Sequence, residues 1–544
     1  MSQPQLRLRV SLTELQTQYE NGNKKPLETL MRAWKGIKEL RWDDPNSFFA
    51  IGGLHGEPFR GAGWSNPTYW GGYCNHGNVL FPVWHRAYLI ALERALRNIP
   101  GCEDVALPFW DETAPLPGGN PTAPVIPWAL TNQTFELDGK SIPNPLASFK
   151  FTQQVTDNTA NPNGFNYSKP LHYETVRYPL SGLVGTPQDQ KATDNHNKQF
   201  PDWNTNVQLL NQNVLNWLGP SIIVNKKPVP ANVYEKFHRC LDAPNYTLFS
   251  NTTSETEWNN NYPNNQVVAL EDPHNDIHLA VGGFEWPGNP VVPGQNVSPI
   301  DGANGDMGEN DTASMDPIFF FHHCFIDYVF WRWQKKNGFT DRFDIIPWYP
   351  GTNSVDSQGP TPGVPANSLL TMDSKLDPWS YTARDMINIE SQLGYTYGSG
   401  SLDDVSKTPA VTFRSNAAES PSSTAVENAE PTKTVVVSGV DRGTINGSFV
   451  IAAFANVNGK RELIGAKSIL SRWKVQGCAN CLTHLEARAH FPVKRSVVAE
   501  LPPEKVQIEI RTRNREPISE TASLPATPFT MFTEAKKRFR VQVI

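Results

Sequence analysis

The stretch "KKPLETLMRAWKGIKEL" at 24–40 sets Leu27, Leu30, Met31, Trp34, Ile37 and Leu40 three and four residues apart, with Lys, Glu and Arg between them. That period predicts an amphipathic helix. A second helix is predicted over 85–98, "HRAYLIALERALRN", a third around His274 and His278, and a fourth over about 322–335, "HHCFIDYVFWRWQK". Pro-, Gly- and Asn-rich stretches separate them, such as "NTTSETEWNNNYPNNQ" at 251–266, and predict long loops. Near residue 400 the texture changes. Residues 401–433 are rich in Ser, Thr, Ala, Pro and acids and read as a flexible linker or exposed loop. Beyond them the period becomes two. Val506, Ile508 and Ile510 alternate with Gln507, Glu509 and Arg511, Phe539, Val541 and Val543 share a face, and "KTVVVSGV" and "GSFVIAAFA" add two strand-like runs. The expectation is a mainly α unit over 1–400, a linker over 401–433 and a small antiparallel, sandwich-like β domain over 434–544.

Composition narrows the function classes. The 544 residues are 38% hydrophobic and 11% aromatic, with 16 Trp and 27 Phe, enough for a large core. With 48 basic against 54 acidic side chains and no basic runs, the chain is a poor nucleic-acid binder. No window approaches 18 uninterrupted apolar residues, so no membrane span is expected. "MSQPQLRLRVSLTELQ" lacks the apolar core of a signal peptide, which predicts a cytoplasmic protein or one released by another route. Triplets such as Asn132-Gln-Thr and Asn245-Tyr-Thr then carry no glycosylation argument. The six cysteines are scattered, unlike a disulfide scaffold.

Twelve histidines are few for this length, yet His274 and His278 stand four apart. On a helix they share a face and can grip one metal ion. An isolated pair of this kind is more often a core histidine beside a solvent-facing one. Zinc-protease chemistry needs Glu after the first His, where this chain has Asn275. A di-iron carboxylate bundle needs two Glu-x-x-His pairs; Glu271 precedes His274 by three, but no second pair follows. In "MDPIFFFHHCFIDYVFWRW", His322 and His323 are adjacent and diverge by about 100° on a helix, so one of them meets the metal. Asp327, four after His323, is placed to orient that ring, which favours His323 and leaves His322 to aromatic packing. His55, His76 and His85 form an earlier set, with His85 opening a helix. Two sets of three neutral imidazoles suit copper and O2. One zinc ion would need only one set, and packing alone explains two sets poorly.

"CNHGNVLFPVWHRAYL", "LPFWD", "LEDPHNDIHLAVGG", "GDMG" and "DPIFFFHHCFIDYVFW" resemble the two copper-binding regions of type-3 copper proteins, the family of tyrosinases, catechol oxidases and molluscan hemocyanins. The ordered motifs cover roughly 45–335. The resemblance implies a four-helix bundle with a binuclear copper site, one copper on His55, His76 and His85 and the other on His274, His278 and His323. Cys74, two before His76, matches the cysteine that fungal-type tyrosinases join to that histidine by a thioether; a free buried thiol is the plain alternative. Where the family commonly reads Arg after the aspartate, this chain has Tyr328.

The resemblance further implies O2 chemistry on phenols. Glu271 and Asn275 match the pair thought to hold a proton-accepting water in tyrosinases, a sensible arrangement for a general base. Glu271 could instead be an N-terminal acid interacting with a helix dipole. Leu279 and Asn310 match positions near the substrate entrance; Asn310 could equally be a turn residue. The expected activity is ortho-hydroxylation of monophenols and oxidation of o-diphenols to quinones. The alternatives are a catechol or o-aminophenol oxidase and a hemocyanin-like O2 carrier. Tyr395-Thr-Tyr397 matches the end of the family's catalytic domain. The β domain after it resembles the lid of latent fungal-type enzymes, with Phe454, Leu470 and Trp473 as candidate plugs, and with a protease or acid as activator. Cys478 and Cys481, near His484, could deliver Cu(I); a disulfide or half a zinc site would also fit. Expected partners are small phenols, with a homo-oligomer left open.

Overall fold

The segment predicted at 24–40 forms a helix from Lys25 to Glu39 with Leu27, Leu30, Met31, Trp34 and Ile37 buried, as its spacing requires. The computed structural model describes residues 6–56, 73–156, 168–219, 232–263, 265–287, 305–354, 364–365, 367–404, 432–445, 447–457, 459–471, 486–494, 505–512, 518–521 and 539–543. Within them the helices are α1 (Leu12–Glu20), α2 (Lys25–Glu39), α3 (Phe48–Gly53), α4 (Phe81–Arg97), α5 (Pro187–Asn197), α6 (Trp203–Leu218), α7 (Val233–Cys240), α8 (Tyr246–Ser250), α9 (Thr252–Asn261), α10 (Glu271–Gly282) and α11 (Ile318–Asn337). None is long and apolar enough to cross a membrane.

Two of these helices begin earlier than their hydrophobic periods suggested. α4 starts at Phe81 because Pro82 falls in its first turn, where the missing N–H costs nothing. His85 therefore lies one turn inside the helix. α11 starts directly after Pro317, so His322 and His323 also lie one turn inside. A third difference is α9, which occupies part of the 251–266 stretch expected to be loop. Asn251 caps it by accepting the Ser254 N–H, and Ser254, Glu255 and Asn259 are buried on its inner side. Capping and tertiary burial outweigh the weak helix propensity of "TTSETEWNNN".

α2 packs on α4, and α4 on α11. Trp34 of α2 reaches Phe320 and Phe321 of α11 at ring distances of 5.9 and 5.5 Å. α10 meets α11 through histidine rings, and α6 and α7 cover its other sides. Strand β1 (Arg7–Arg9) pairs in parallel with β6 (Tyr395–Tyr397), tying the start of the chain to the end of the helical unit. Small ladders β2–β3 (Thr134–Leu137, Lys140–Pro143) and β4–β5 (Val155–Thr156, Ser168–Lys169) lie in the long connections.

The C-terminal strands form two sheets, in orders β10-β7-β13 and β12-β11-β8-β9. They are β7 (Thr432–Asp441), β8 (Phe449–Val457), β9 (Lys460–Ile469), β10 (Glu486–Lys494), β11 (Val506–Arg511), β12 (Ile518–Thr521) and β13 (Arg540–Val543). Val506, Ile508, Ile510, Phe539 and Val541 join Val435, Val437, Phe449, Ile451 and Phe491 in a hydrophobic core separate from that of the helices. Strand alternation does the rest. Phe449, Ile451 and Ala453 face this core, while Val450, with Ala466 and Leu470, belongs to the helical core. One sheet thus lies flat against α10 and its neighbours.

Charge reinforces that seam. Lys467 of β9 lies 3.0 Å from Glu255 of α9 and 3.6 Å from Asp272 of α10. Lys236 of α7 lies 2.6 Å from Asp276 and 3.2 Å from Asp272, and donates to the Ala466 carbonyl at 3.1 Å. All five charged groups are buried. The expected linker falls, from 405 to 431, outside the described residues.

Candidate metal centre

His274 and His278 project from one face of α10, and His323 meets them from α11. Nε2 of His323 lies 3.2 Å from Nε2 of His274 and 3.3 Å from Nε2 of His278. Nδ1 of His278 donates to the Met307 carbonyl at 2.9 Å, and Nδ1 of His274 donates to Asn275 Oδ1 at 3.0 Å. With both Nδ1 protons so placed, the two Nε2 atoms turn lone pairs toward His323. Two lone pairs converging on the third ring nitrogen in a dry site need positive charge between them, from a His323 Nε2 proton or from a cation. Metal–imidazole bonds of about 2.0–2.1 Å at tetrahedral angles put nitrogens about 3.3 Å apart, close to what is seen here.

The Met307 carbonyl is placed by a close backbone approach. A Cβ on Gly282, at the end of α10, would sit 1.8 Å from the Gly308 nitrogen. Only glycine lets the "GDMG" segment reach the helix closely enough to receive His278.

The second group is His55, His76 and His85, whose ligand atoms lie within 4.8 Å of one another. His55 follows α3, His76 stands on irregular backbone before α4, and His85 is on α4. His85 Nδ1 donates to the Phe81 carbonyl at 2.8 Å, while its buried Nε2 has no hydrogen-bond partner among the described residues. A buried polar atom without a partner is costly, and a metal ion would satisfy it. The groups adjoin: the His85 and His323 rings stack at 4.5 Å and those of His76 and His274 at 5.7 Å. Burial pushes His85 down to about 3 and His278 to about 4, and holds His274 and His323 well below the usual imidazole range. At neutral pH these rings are neutral, as metal ligation requires.

His322 belongs to the same constellation as His274, His278 and His323. Its Nδ1 lies 2.5 Å from Glu112 Oε1, and burial raises the Glu112 carboxyl well above its ordinary range. Sequence reasoning left His322 to aromatic packing and missed Glu112; the acid ending "LPFWDE" was the available signal.

The part expected of Asp327 is corrected. Asp327 Oδ1 accepts from Arg86 at 2.6 Å, and Oδ2 accepts from Tyr395 and Tyr397 at 2.6 Å and from Arg9 at 3.4 Å. Among the described residues His323 Nδ1 has no hydrogen-bond partner. The side chains of Arg9 and Arg86 are fully buried, and charge compensation outweighs a bond to a neutral ring. Burial alone would push Asp327 up, but Arg86 and Arg9 hold it below the usual carboxylate range. The Tyr328 hydroxyl donates to Asp403 at 2.7 Å.

A cavity of about 390 Å³ lies between the helical unit and the β domain. His76, Thr252, Glu271, Asn275, Lys467 and Leu470 are on its wall. Glu271 Oε1 accepts from the Gly77 N–H at 2.7 Å, and Oε2 from the Thr252 N–H at 2.9 Å and hydroxyl at 3.1 Å. Burial raises its pKa, and these donors partly offset the rise. Leu279 and Asn310 are fully buried and are not on this wall; among the described residues neither amide atom of Asn310 has a hydrogen-bond partner. Cys74 is buried two residues before His76. Phe454 is buried against the Arg461 guanidinium, away from the cavity. Trp473, Cys478, Cys481 and His484 lie outside the described residues.

Residues 45–336 match the common central domain of tyrosinase. The chain is 50% identical over 518 residues to a tyrosinase of Hahella sp., covering 90% of this chain and 88% of that one. It is 44% identical over 506 residues to a tyrosinase of Aspergillus oryzae, covering 87% of each. The solved tyrosinase from Burkholderia thailandensis at low pH superposes with a TM-score of 0.77 at 46% identity, covering 99% of this chain and 100% of that one.

Proposed function

The chain belongs to the tyrosinase family, and from that premise we propose that it ortho-hydroxylates monophenols and oxidises o-diphenols to o-quinones beneath a C-terminal lid. His55, His76 and His85 would hold one copper ion, and His274, His278 and His323 the other. When bound, the copper pair supplies the O2 binding and electron transfer of the reaction.

The chain's own residues supply the rest. Hydroxylation needs the phenol deprotonated at the metal edge of the cavity. Glu271, buried on the wall shared with His76 and Asn275 and raised in pKa, takes that proton. Asn275 Oδ1 accepts a hydrogen bond from His274 Nδ1 and so fixes that ring's tautomer. A Cys74–His76 thioether would pin a ligand that stands on irregular backbone. The β domain, docked over α9 and α10 with Leu470 on the cavity wall, excludes bulky phenols until the 401–433 linker is cut or acid loosens the seam. Cys478 and Cys481 would pass copper inward.

The position of Glu271 on the cavity wall carries this reading. The test is chain cut in the linker and supplied with copper, L-tyrosine and a catechol. Quinone from both substrates supports it. Quinone from catechol alone indicates an oxidase without hydroxylase activity. Reversible O2 binding without turnover indicates a carrier.

A further inference from the structure

The Glu271 carboxylate is held more tightly than a lone acid on a cavity wall. An ionised carboxylate offers about four acceptor positions. Three are filled: one on Oε1 by the Gly77 N–H, and two on Oε2 by the Thr252 N–H and hydroxyl. The remaining position is on Oε1, the oxygen tied to the residue next to His76. Thr252 is the first residue of α9, so its N–H belongs to the positive end of a ten-residue helix. It also lies on the cavity wall beside Glu271, His76 and Asn275.

We propose that Thr252 is a positioning residue for phenol hydroxylation, its hydroxyl and backbone N–H together locking Glu271 so that one lone pair alone is open to the substrate's proton. The inference rests on the reading of Glu271 as the proton acceptor. It separates the two reactions of the site, since a free phenol must lose its proton to an oriented base, whereas catechol oxidation depends far less on that base. The hydroxyl is the separable part. Valine keeps Thr252's shape and backbone N–H and removes only the Oγ1 donor. Without it Oε2 regains an open position, the carboxylate rotates between two acceptor directions, and its pKa rises because a hydrogen bond to the charged form is lost.

The experiment compares full-length wild type with T252V and T252S, each loaded with copper and cut in the linker. T252V should lose about tenfold in the ratio of L-tyrosine hydroxylation to catechol oxidation, the order expected for one hydrogen bond to a charged group. The acid limb of its tyrosine profile should move to higher pH, and T252S should restore both. A readout independent of copper comes from infrared titration of the copper-free chain, with the Glu271 band identified by its absence in E271Q. Its midpoint should move up in T252V and not in T252S. An unchanged ratio and midpoint in T252V overturn the proposal. So does a parallel fall of both activities, or loss of copper binding, in T252V; either would mark Thr252 as structural only. Wild type that oxidises catechol but never hydroxylates tyrosine overturns the reading of Glu271, and this inference with it.

Discussion

The two histidine groups reach similar ends by different construction. His274, His278 and His323 all stand on helices, α10 and α11, with Nε2 atoms converging at 3.2 and 3.3 Å before any ion is considered. In the other group only His85 is helical; His55 and His76 sit on segments whose conformation is set by their surroundings. Helices fix side-chain direction by their own hydrogen bonds, whereas irregular backbone needs outside ties. α10, which carries two of the helical group, is also tied to the β domain through Asp272 and Lys467, while Lys236 of α7 holds Asp272 and Asp276. One group is preorganised on helices; the other depends on local ties such as Glu271 to Gly77.

The comparison breaks most severely when a helical ligand is removed. H278A should abolish both activities and lower bound copper to about one ion per chain, read by metal analysis; retention of two would remove His278 from the ligand set. Next is D327A, which leaves Arg86 buried without its carboxylate and Arg9 with Glu93 alone. Denaturant unfolding should show a loss of about 3–5 kcal/mol. Unchanged stability with poorer copper retention would return Asp327 to the role of ring support. A sharper contrast comes from C74A, expected to weaken copper retention about 10–100-fold at the loop-borne site alone. Timed chelation should then change from slow to biphasic release, and uniform release would place both sites on equal footing.

K467M tests the seam behind the helical group. Glu255, which burial raises to about 7 against the pull of Lys467, can neutralise itself by protonation, so the fold should survive. Uncut chain should gain several-fold in activity on catechol, and no gain would show that Lys467 does not hold the lid. The smallest effect is one of pH. His490 of β10 donates to Asn260 Oδ1 at 2.7 Å; burial, with Lys467 and Arg488 nearby, lowers it to about 4. Its unfolded value is near 6.5, so between 6.5 and 4 the unfolded form binds more protons and stability falls as pH falls. Glu255 acts in the opposite direction between about 4.5 and 7. H490Q isolates the histidine share: acidification from pH 6.5 to 4 should weaken β-domain attachment less in H490Q than in wild type, followed by protease sensitivity of the seam. Identical pH profiles would refute the assignment.

Much of the site was legible in the chain because its chemistry is repeated and its spacing periodic. The i, i+4 pair on α10 could be read directly, as could the alternation of Val506, Ile508 and Ile510. α9 was not legible, because "TTSETEWNNN" has weak propensity and becomes helical through its Asn251 cap and its burial. Nor was the task of Asp327: the i, i+4 rule placed it near His323, but two guanidinium groups from residues 9 and 86 claimed it.

Periodicity and residue type alone determined that this chain has helical ligand platforms, six candidate imidazoles and a C-terminal β unit, since these follow from local geometry that neighbours along the chain enforce. Only the tertiary structure decided which acid serves which cation, that Thr252 and Gly77 hold Glu271, and that Lys467 ties the β domain to α10. Those pairings join residues up to several hundred positions apart, and their partners are chosen by burial and charge compensation, which exist only once the chain has closed on itself.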